Sequence, residues 1–154
     1  MTPNKEDYLK CIYEIGTEMQ KITNKEIAAR MQVSPPAVTE MIKRMKSENL
    51  ILKDKENGYL LTDIGLKLVS ELYRKHRLIE VFLVHHLDYT SDQIHEEAEV
   101  LEHTVSDLFV ERLDKLLGFP QTCPHGGTIP AEGELLVEIN NLPLALSLIH
   151  ISEP

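Results

Sequence analysis

Thr23-Asn24-Lys25-Glu26-Ile27-Ala28-Ala29-Arg30-Met31-Gln32-Val33-Ser34-Pro35-Pro36-Ala37-Val38-Thr39-Glu40-Met41-Ile42-Lys43-Arg44-Met45 reads as two helices joined by a tight turn. Thr23 and Glu26 have the Thr-x-x-Glu spacing of a capping box, whose hydroxyl and carboxylate satisfy free backbone amides at a helix start. Ile27, Ala28 and Met31 supply the apolar side of that short helix. Ser34 then caps a second helix with Pro35 at its first position, where a missing N–H is harmless. Val38, Met41, Ile42 and Met45 form its buried stripe, and Thr39, Glu40, Lys43 and Arg44 face outward. Polar outward residues near the start of the second helix complete a helix-turn-helix pattern.

The flanking segments extend this into a winged unit. Upstream, Thr2-Pro3 offers a cap with proline at the first helical position, and Tyr8, Leu9, Ile12, Tyr13 and Ile15 recur at helical spacing up to Gly16. Downstream, Leu50-Ile51-Leu52-Lys53-Asp54-Lys55-Glu56-Asn57-Gly58-Tyr59-Leu60-Leu61-Thr62 reads as two short strands around Asn57-Gly58, a pair suited to a type I′ turn. As a wing, this hairpin brings Lys53 and Lys55 to a DNA backbone, where they add salt-dependent affinity without reading sequence. Three helices and a hairpin can equally make an ordinary small core, and Lys43 and Arg44 suit solvent as well as phosphate or base edges.

Charge distribution lifts an objection to the nucleic-acid reading for this part alone, without adding to it. The chain of 154 residues carries a formal net charge of −9, which by itself opposes binding to a phosphate backbone. Through Thr62, however, 10 Lys/Arg stand against 9 Asp/Glu, whereas the remainder has 6 against 16. With 42% apolar and 27% charged residues the balance is that of a globular protein. Cys11 and Cys123 suggest no disulfide framework and no leader precedes them, so a reducing cytoplasm is expected. The longest apolar stretch, Leu142 to Ile151, contains Pro143 and falls short of the roughly 20 residues of a membrane span.

The second part concentrates metal-ligand side chains on helices. Asp63, after the cap Thr62, opens a pattern through Leu66, Val69, Leu72, Ile79, Leu83 and Leu87. Tyr89-Thr90-Ser91 is read as the next cap, followed by one helix through Ile94, Ala98, Leu101, Val105, Leu108, Phe109, Leu113 and Leu116 to the stop Gly118. His95, Glu99, Glu102 and His103 stand at i, i+4, i+7 and i+8, so that helix would project all four from one side. His76 and Glu80 form another i, i+4 pair. Imidazole with carboxylate suits Mn²⁺, Fe²⁺, Co²⁺ and Zn²⁺, and oxygen-rich mixtures lean to the harder ions. A Glu/His-rich helix face is also commonly just solvated, but Glu96, Glu97, Glu99 and Glu102 repel one another unless a cation relieves them. Cys123-Pro124-His125, in a loop rich in turn formers, could add one soft and one imidazole ligand. His85, His86 and His150 are read as surface or packing residues.

These residues together resemble the diphtheria toxin repressor family of metal-dependent transcriptional regulators, in its manganese-responsive streptococcal-type branch. The likeness spans about residues 1 to 141 and rests on Tyr8-Leu9, Val33-Ser34-Pro35-Pro36-Ala37-Val38-Thr39, Asn57-Gly58-Tyr59, Leu61-Thr62-Asp63-Ile64-Gly65, His76-Arg77-Leu78-Ile79-Glu80, Glu99-Val100-Leu101-Glu102-His103 and Cys-Pro-His-Gly. It implies a mostly α fold: a winged helix-turn-helix DNA-binding domain at 1–70 and a helical metal-binding and dimerisation domain at 71–141. Residues 142–154 match nothing expected there, and the family's SH3-like third domain is absent from the sequence. The resemblance implies a primary metal set of Asp7, Glu99, Glu102 and His103, and a second of His76, Glu80 and His95. Cys123 and His125 are implied as further ligands of one or the other. Ser34, Pro36, Thr39, Glu40, Lys43, Arg44, Lys53 and Lys55 are the expected DNA contacts. Mn²⁺ is the expected cofactor, with Fe²⁺ as the alternative and Zn²⁺ or Cd²⁺ as substitutes in vitro.

The implied function is repression of metal-uptake genes by a homodimer on double-stranded operator DNA, with no membrane partner and no substrate. Dimerisation is expected along Val105, Phe109, Arg112 and Leu116. Two rivals are weighed against it: a winged-helix repressor sensing a small organic ligand, and a di-metal carboxylate enzyme or storage bundle. The latter wants Glu-x-x-His on two helices, but Val100 stands three before His103, and no nucleophile with its base is visible, so catalysis is not expected.

Overall fold

Asn4, rather than Thr2, opens the first helix. In the computed structural model, which describes residues 4–136, α1 spans Lys5–Thr17 with Asn4 as N-cap. Asn4 Oδ1 accepts from the Asp7 amide at 3.1 Å and Asp7 Oδ2 accepts from the Asn4 amide at 2.9 Å, a reciprocal capping box. Thr2 and Pro3 lie outside the described residues. The chain divides at Val69/Ser70 into two compact units, with residues through Val69 in the first and Ser70–Leu136 the second.

In the first unit, α2 (Asn24–Met31) and α3 (Pro35–Ser47) begin at the expected caps, Thr23 and Ser34. Only half of the expected box forms at Thr23. Its hydroxyl accepts from the Glu26 amide at 3.1 Å, while the Glu26 carboxylate turns to Arg30 Nε at 2.8 Å, since a guanidinium one turn on is a stronger partner than a neutral amide. Val38, Ile42 and Met45 are buried as expected, whereas Met41 is only half-buried. Leu9, Ile12, Tyr13, Ile15 and Ile27 supply the rest of the helical core.

Strands β1 (Ile51–Asp54) and β2 (Gly58–Leu61) pair antiparallel with Asp54 opposite Gly58. The loop therefore holds three residues, not the two of a type I′ turn. That turn needs positive φ at both central residues, yet of Asn57 and Gly58 only Gly58 has it, at +82°. Asp54 organises the loop instead, its Oδ2 accepting from the Glu56 and Asn57 amides and from Asn57 Nδ2 at 3.1, 2.8 and 2.9 Å. Those donors hold the Asp54 carboxyl below the usual carboxylate range. A Cβ on Gly58 would stand 1.9 Å from the Ile22 carbonyl oxygen, because the backbone of residue 22 pairs with the Asn57 carbonyl.

The long helix α4 (Asp63–Leu87) follows the cap Thr62, whose Oγ1 accepts from the Gly65 amide at 3.1 Å. From Ser70 onward it belongs to the second unit, with α5 (Ile94–Leu101) and α6 (Asp107–Leu116). The single helix expected from Ile94 to Leu116 is thus two. Ser106 takes extended backbone and its Oγ accepts from the Phe109 amide at 3.1 Å, restarting the helix there. Nor do Thr90 and Ser91 cap α5: Thr90 opens a turn, its carbonyl taking the Gln93 amide, and the helix begins at Ile94. Gly118 does end α6, with φ +75° and its amide on the Lys115 carbonyl. Leu78, Ile79, Leu83, Ile94, Ala98, Val110 and Leu113 form this unit's core. No helix among the described residues is long and apolar enough to cross a membrane. The 142–154 tail, the stretch from Leu142 to Ile151 and His150 lie outside the described residues.

Candidate metal centre

The i, i+4 spacing on α4 puts His76 and Glu80 on one helix face, and packing buries that face, leaving them 4% and 2% exposed. A buried carboxylate needs donors or cations around it, and four side chains supply them. His76 Nε2 lies 3.2 Å from Glu80 Oε2, His125 Nδ1 3.4 Å and His95 Nδ1 3.9 Å from the same oxygen. Cys123 Sγ lies within 4.8 Å of the Glu80 and His125 ligand atoms. Burial pushes the Glu80 carboxyl up. The hydrogen bond from His76, the charges of His76 and His125 and the Cys123 contact outweigh it, and the net shift is downward.

Two ligand trios result, His76/Glu80/His95 and Glu80/Cys123/His125, each with donor atoms within 4.8 Å of one another. They share Glu80. Cys123 and His125, for which the sequence left the choice of site open, come to the His76/Glu80/His95 group. Imidazole, carboxylate and thiol donors converging on one buried oxygen fit a divalent first-row cation.

Arg77 is one of the contacts that hold the loop beside Glu80, with Cys123 and Ile129 buried in the core. Arg77 Nη1 donates to the Thr128 carbonyl at 2.5 Å, and its guanidinium lies 4.7 Å over the Tyr73 ring. A Thr122–Thr128 bridge and the Gly126 amide on the Cys123 carbonyl close the loop, and the Gly127 amide donates to Cys123 Sγ at 3.3 Å. Sequence reasoning passed over Arg77 as a positioning residue; the cue was a basic side chain directly adjoining the ligand His76.

Glu102 and its neighbours depart from the expected common face. Because α5 ends at Leu101, Glu102 turns inward to 1% exposure and accepts from His76 Nδ1 at 2.5 Å. His95 and Glu99 remain on the exposed side, 3.7 Å apart, and His103 Nε2 stands 3.8 Å from Glu102 Oε2. Asp7 belongs to the first unit, where it closes the capping box with Asn4. His85 and His86 are exposed, His86 stacking on Phe82.

All eight expected DNA contacts, Ser34, Pro36, Thr39, Glu40, Lys43, Arg44, Lys53 and Lys55, are exposed in the first unit. Three have local partners: Ser34 caps α3, Thr39 Oγ1 donates to the Pro35 carbonyl, and Arg44 pairs with Glu48 at 3.2 Å.

Comparison with known proteins agrees with this division of labour. A family model described as the iron dependent repressor N-terminal DNA binding domain matches residues 1–59. A second, described as the iron dependent repressor metal binding and dimerisation domain, matches residues 62–131. The diphtheria toxin repressor of Corynebacterium diphtheriae is 33% identical over 130 residues, covering 84% of this chain and 58% of that protein. The HTH-type transcriptional regulator MntR of Bacillus pumilus is 30% identical over 118 residues, 77% of this chain and 81% of that protein. Among solved structures, ScaR with bound Zn²⁺ is 77% identical with a TM-score of 0.84, covering 89% of this chain and 64% of that one. ScaR has also been solved with Cd²⁺ and, described as a manganese-activated repressor, in its apo form. The chain therefore spans less than two thirds of several relatives it matches. With both domain models matched in order and a relative at 30% identity covered over four fifths of its length, the chain belongs to the iron-dependent, diphtheria toxin repressor family of metal-dependent transcriptional regulators.

Proposed function

We propose that this chain is a transcriptional repressor that binds operator DNA as a homodimer when loaded with Mn²⁺, or alternatively Fe²⁺, and controls metal-uptake genes in the cytoplasm. The observation that carries the reading is the convergence of His76, His95, Cys123 and His125 on the buried Glu80, in a chain whose first unit is a winged helix-turn-helix. Residues 1–70 are proposed as the DNA-binding domain and 71–141 as the metal-binding and dimerisation domain. The role is regulatory rather than catalytic.

His76, Glu80, His95, Cys123 and His125 would hold the cation, which supplies positive charge to a strongly acidic part of the chain. Oxygen and imidazole donors suit Mn²⁺, while Cys123 also admits the softer Zn²⁺ and Cd²⁺. As the resemblance implies, Asp7, Glu99, Glu102 and His103 are proposed as a further ligand set. Asp7→Asn keeps an oxygen for the Asn4 amide but removes the charge, so it tests the ligand role without removing the cap. For the dimer, Phe109 and Leu116, at i and i+7 of α6, are 47% and 60% exposed and offer an apolar face that sedimentation of Phe109→Asp would test.

The deciding experiment is fluorescence-polarisation binding to a palindromic duplex library with and without Mn²⁺ at stated salt. Tightening of affinity by Mn²⁺ supports the reading. Equal affinity in both conditions would refute it, and metal and DNA affinities must rise by the same factor if they are linked.

A further inference from the structure

A groove in the first unit runs between the start of α2, one face of α3 and strand β2. It is lined by Asn24, Thr39, Lys43, Lys46, Ser47 and Tyr59, together with the buried Ile42. Thr39, Lys43 and Lys46 stand at i, i+4 and i+7, so they share a face of α3. No carboxylate lines the groove, in a chain where Asp and Glu outnumber Lys and Arg by 25 to 16.

Its cations are also available. Among the described residues Arg30, Arg44 and Lys5 are committed to glutamates, whereas Lys43 and Lys46 have no ion-pair partner. Across the groove, the Tyr59 hydroxyl donates to Asn24 Oδ1 at 2.7 Å, joining β2 to the first residue of α2. With Oδ1 so occupied, the Asn24 amide nitrogen is left to donate to an oxygen ligand.

We propose that this groove seats a phosphodiester of the DNA backbone, with Lys46 and Asn24 as contacts beyond those the sequence suggested and Tyr59 as the residue that positions Asn24. The proposal rests on the DNA-binding reading above and adds a sequence-independent anchor between recognition helix and wing. Two ammonium groups and an amide N–H match a phosphate, and a cationic or apolar occupant would leave both lysines uncompensated.

The test uses the full chain with Mn²⁺ and labelled duplex DNA of mixed sequence, titrated across a salt series. Lys46→Ala should lower the slope of log affinity against log salt by about 0.9, equally for every duplex, and Lys46→Gln should do the same. Lys115→Ala, an exposed lysine of the second unit, should leave the slope at the wild-type value. Tyr59→Phe should weaken binding several-fold with an unchanged slope, since no charge is lost, and Asn24→Ala should add nothing in that background. A wild-type slope in both Lys46 variants, or additive losses for Tyr59→Phe and Asn24→Ala, would overturn the proposal while leaving DNA binding standing. If the wild-type chain binds no duplex with or without Mn²⁺, the DNA-binding reading itself fails and takes the groove with it.

Discussion

His76 Nδ1 lies 2.5 Å from Glu102 Oε1, and the opposite ring nitrogen, Nε2, lies 3.2 Å from Glu80 Oε2. Glu102 thereby fixes the imidazole so that Nε2, not Nδ1, is presented to Glu80 and its neighbours. A carboxylate behind a ligating histidine sets ring orientation and raises its basicity, and losing one commonly costs 10–100-fold in metal affinity. Glu102→Gln keeps the shape but offers a neutral amide. Calorimetric titration with Mn²⁺ should therefore show roughly 10–100-fold weaker binding at the Glu80 cluster, together with an unchanged far-ultraviolet spectrum. Wild-type affinity would show that Glu102 does not act through His76.

The two cysteines should differ in their response to alkylation and to metal. Burial, reinforced by the nearby Glu14, pushes the Cys11 thiol up to about 11, so at pH 8 it carries almost no thiolate and should resist iodoacetamide. Its alkylation should rise only as pH approaches that value or the fold opens. Cys123 faces Glu80 and His125, and a bound ion would occupy its sulfur. Peptide mapping should find Cys123 protected by Cd²⁺ more strongly than by Mn²⁺, because thiolate favours the softer ion. Equal labelling of Cys123 with and without Cd²⁺ would remove it from the ligand set.

The helix-turn-helix was legible because its signals are local: Thr23 and Ser34 cap the helices that their sequence neighbours form. The wing was legible as a hairpin but not in its register, since Asp54 rather than the Asn57-Gly58 pair organises the loop. The break between α5 and α6 escaped detection because Leu101, Val105, Leu108 and Phe109 sustain helical spacing straight through it. Thr104-Val105-Ser106-Asp107, a β-branched pair followed by a capping serine, was the available cue. Convergence of Cys123 and His125 on Glu80 could not be read from spacing at all. It rests on tertiary contacts with no local signature, the burial of Cys123 and Ile129 and the bond from Arg77 to the Thr128 carbonyl among them.

That bond carries its own consequence. Arg77→Met keeps an aliphatic stem but removes the guanidinium, and with it both the donor to the loop and the contact over Tyr73. The Cys-Pro-His segment should then exchange its amide hydrogens faster, and Mn²⁺ affinity should fall while α4 and its core keep their protection. Unchanged exchange at Cys123 and Gly126 would show that the loop holds itself.

Gly58 provides a test of the wing independent of metal. Alanine there meets two penalties, a φ of +82° and a Cβ only 1.9 Å from the backbone oxygen of Ile22. The first alone costs about 1–3 kcal/mol, and the second cannot be relieved by rotating a side chain. Gly58→Ala should lower the melting temperature of the first unit and weaken DNA binding, with Mn²⁺ affinity at the Glu80 cluster retained. A melting curve superimposable on wild type would mean that the Ile22–Asn57 pairing is not maintained in solution.

Glu80 should keep its charge below the pH at which an ordinary glutamate is protonated. The folded-state value of Glu80 lies below its ordinary 4.5, so its ionised form contributes stability above that pH, and this contribution is lost as pH falls through the depressed value. Between about pH 5 and 7, where imidazoles in general take up protons, Glu80 therefore stays charged. Competing protons must then be displaced from histidine or thiol for a cation to bind. Calorimetry in buffers of different ionisation enthalpy should show proton release on Mn²⁺ binding. His125→Ala should weaken that binding, and Glu80→Gln should abolish it without a pH range in which it recovers. Binding that survives Glu80→Gln would place the cation away from this cluster.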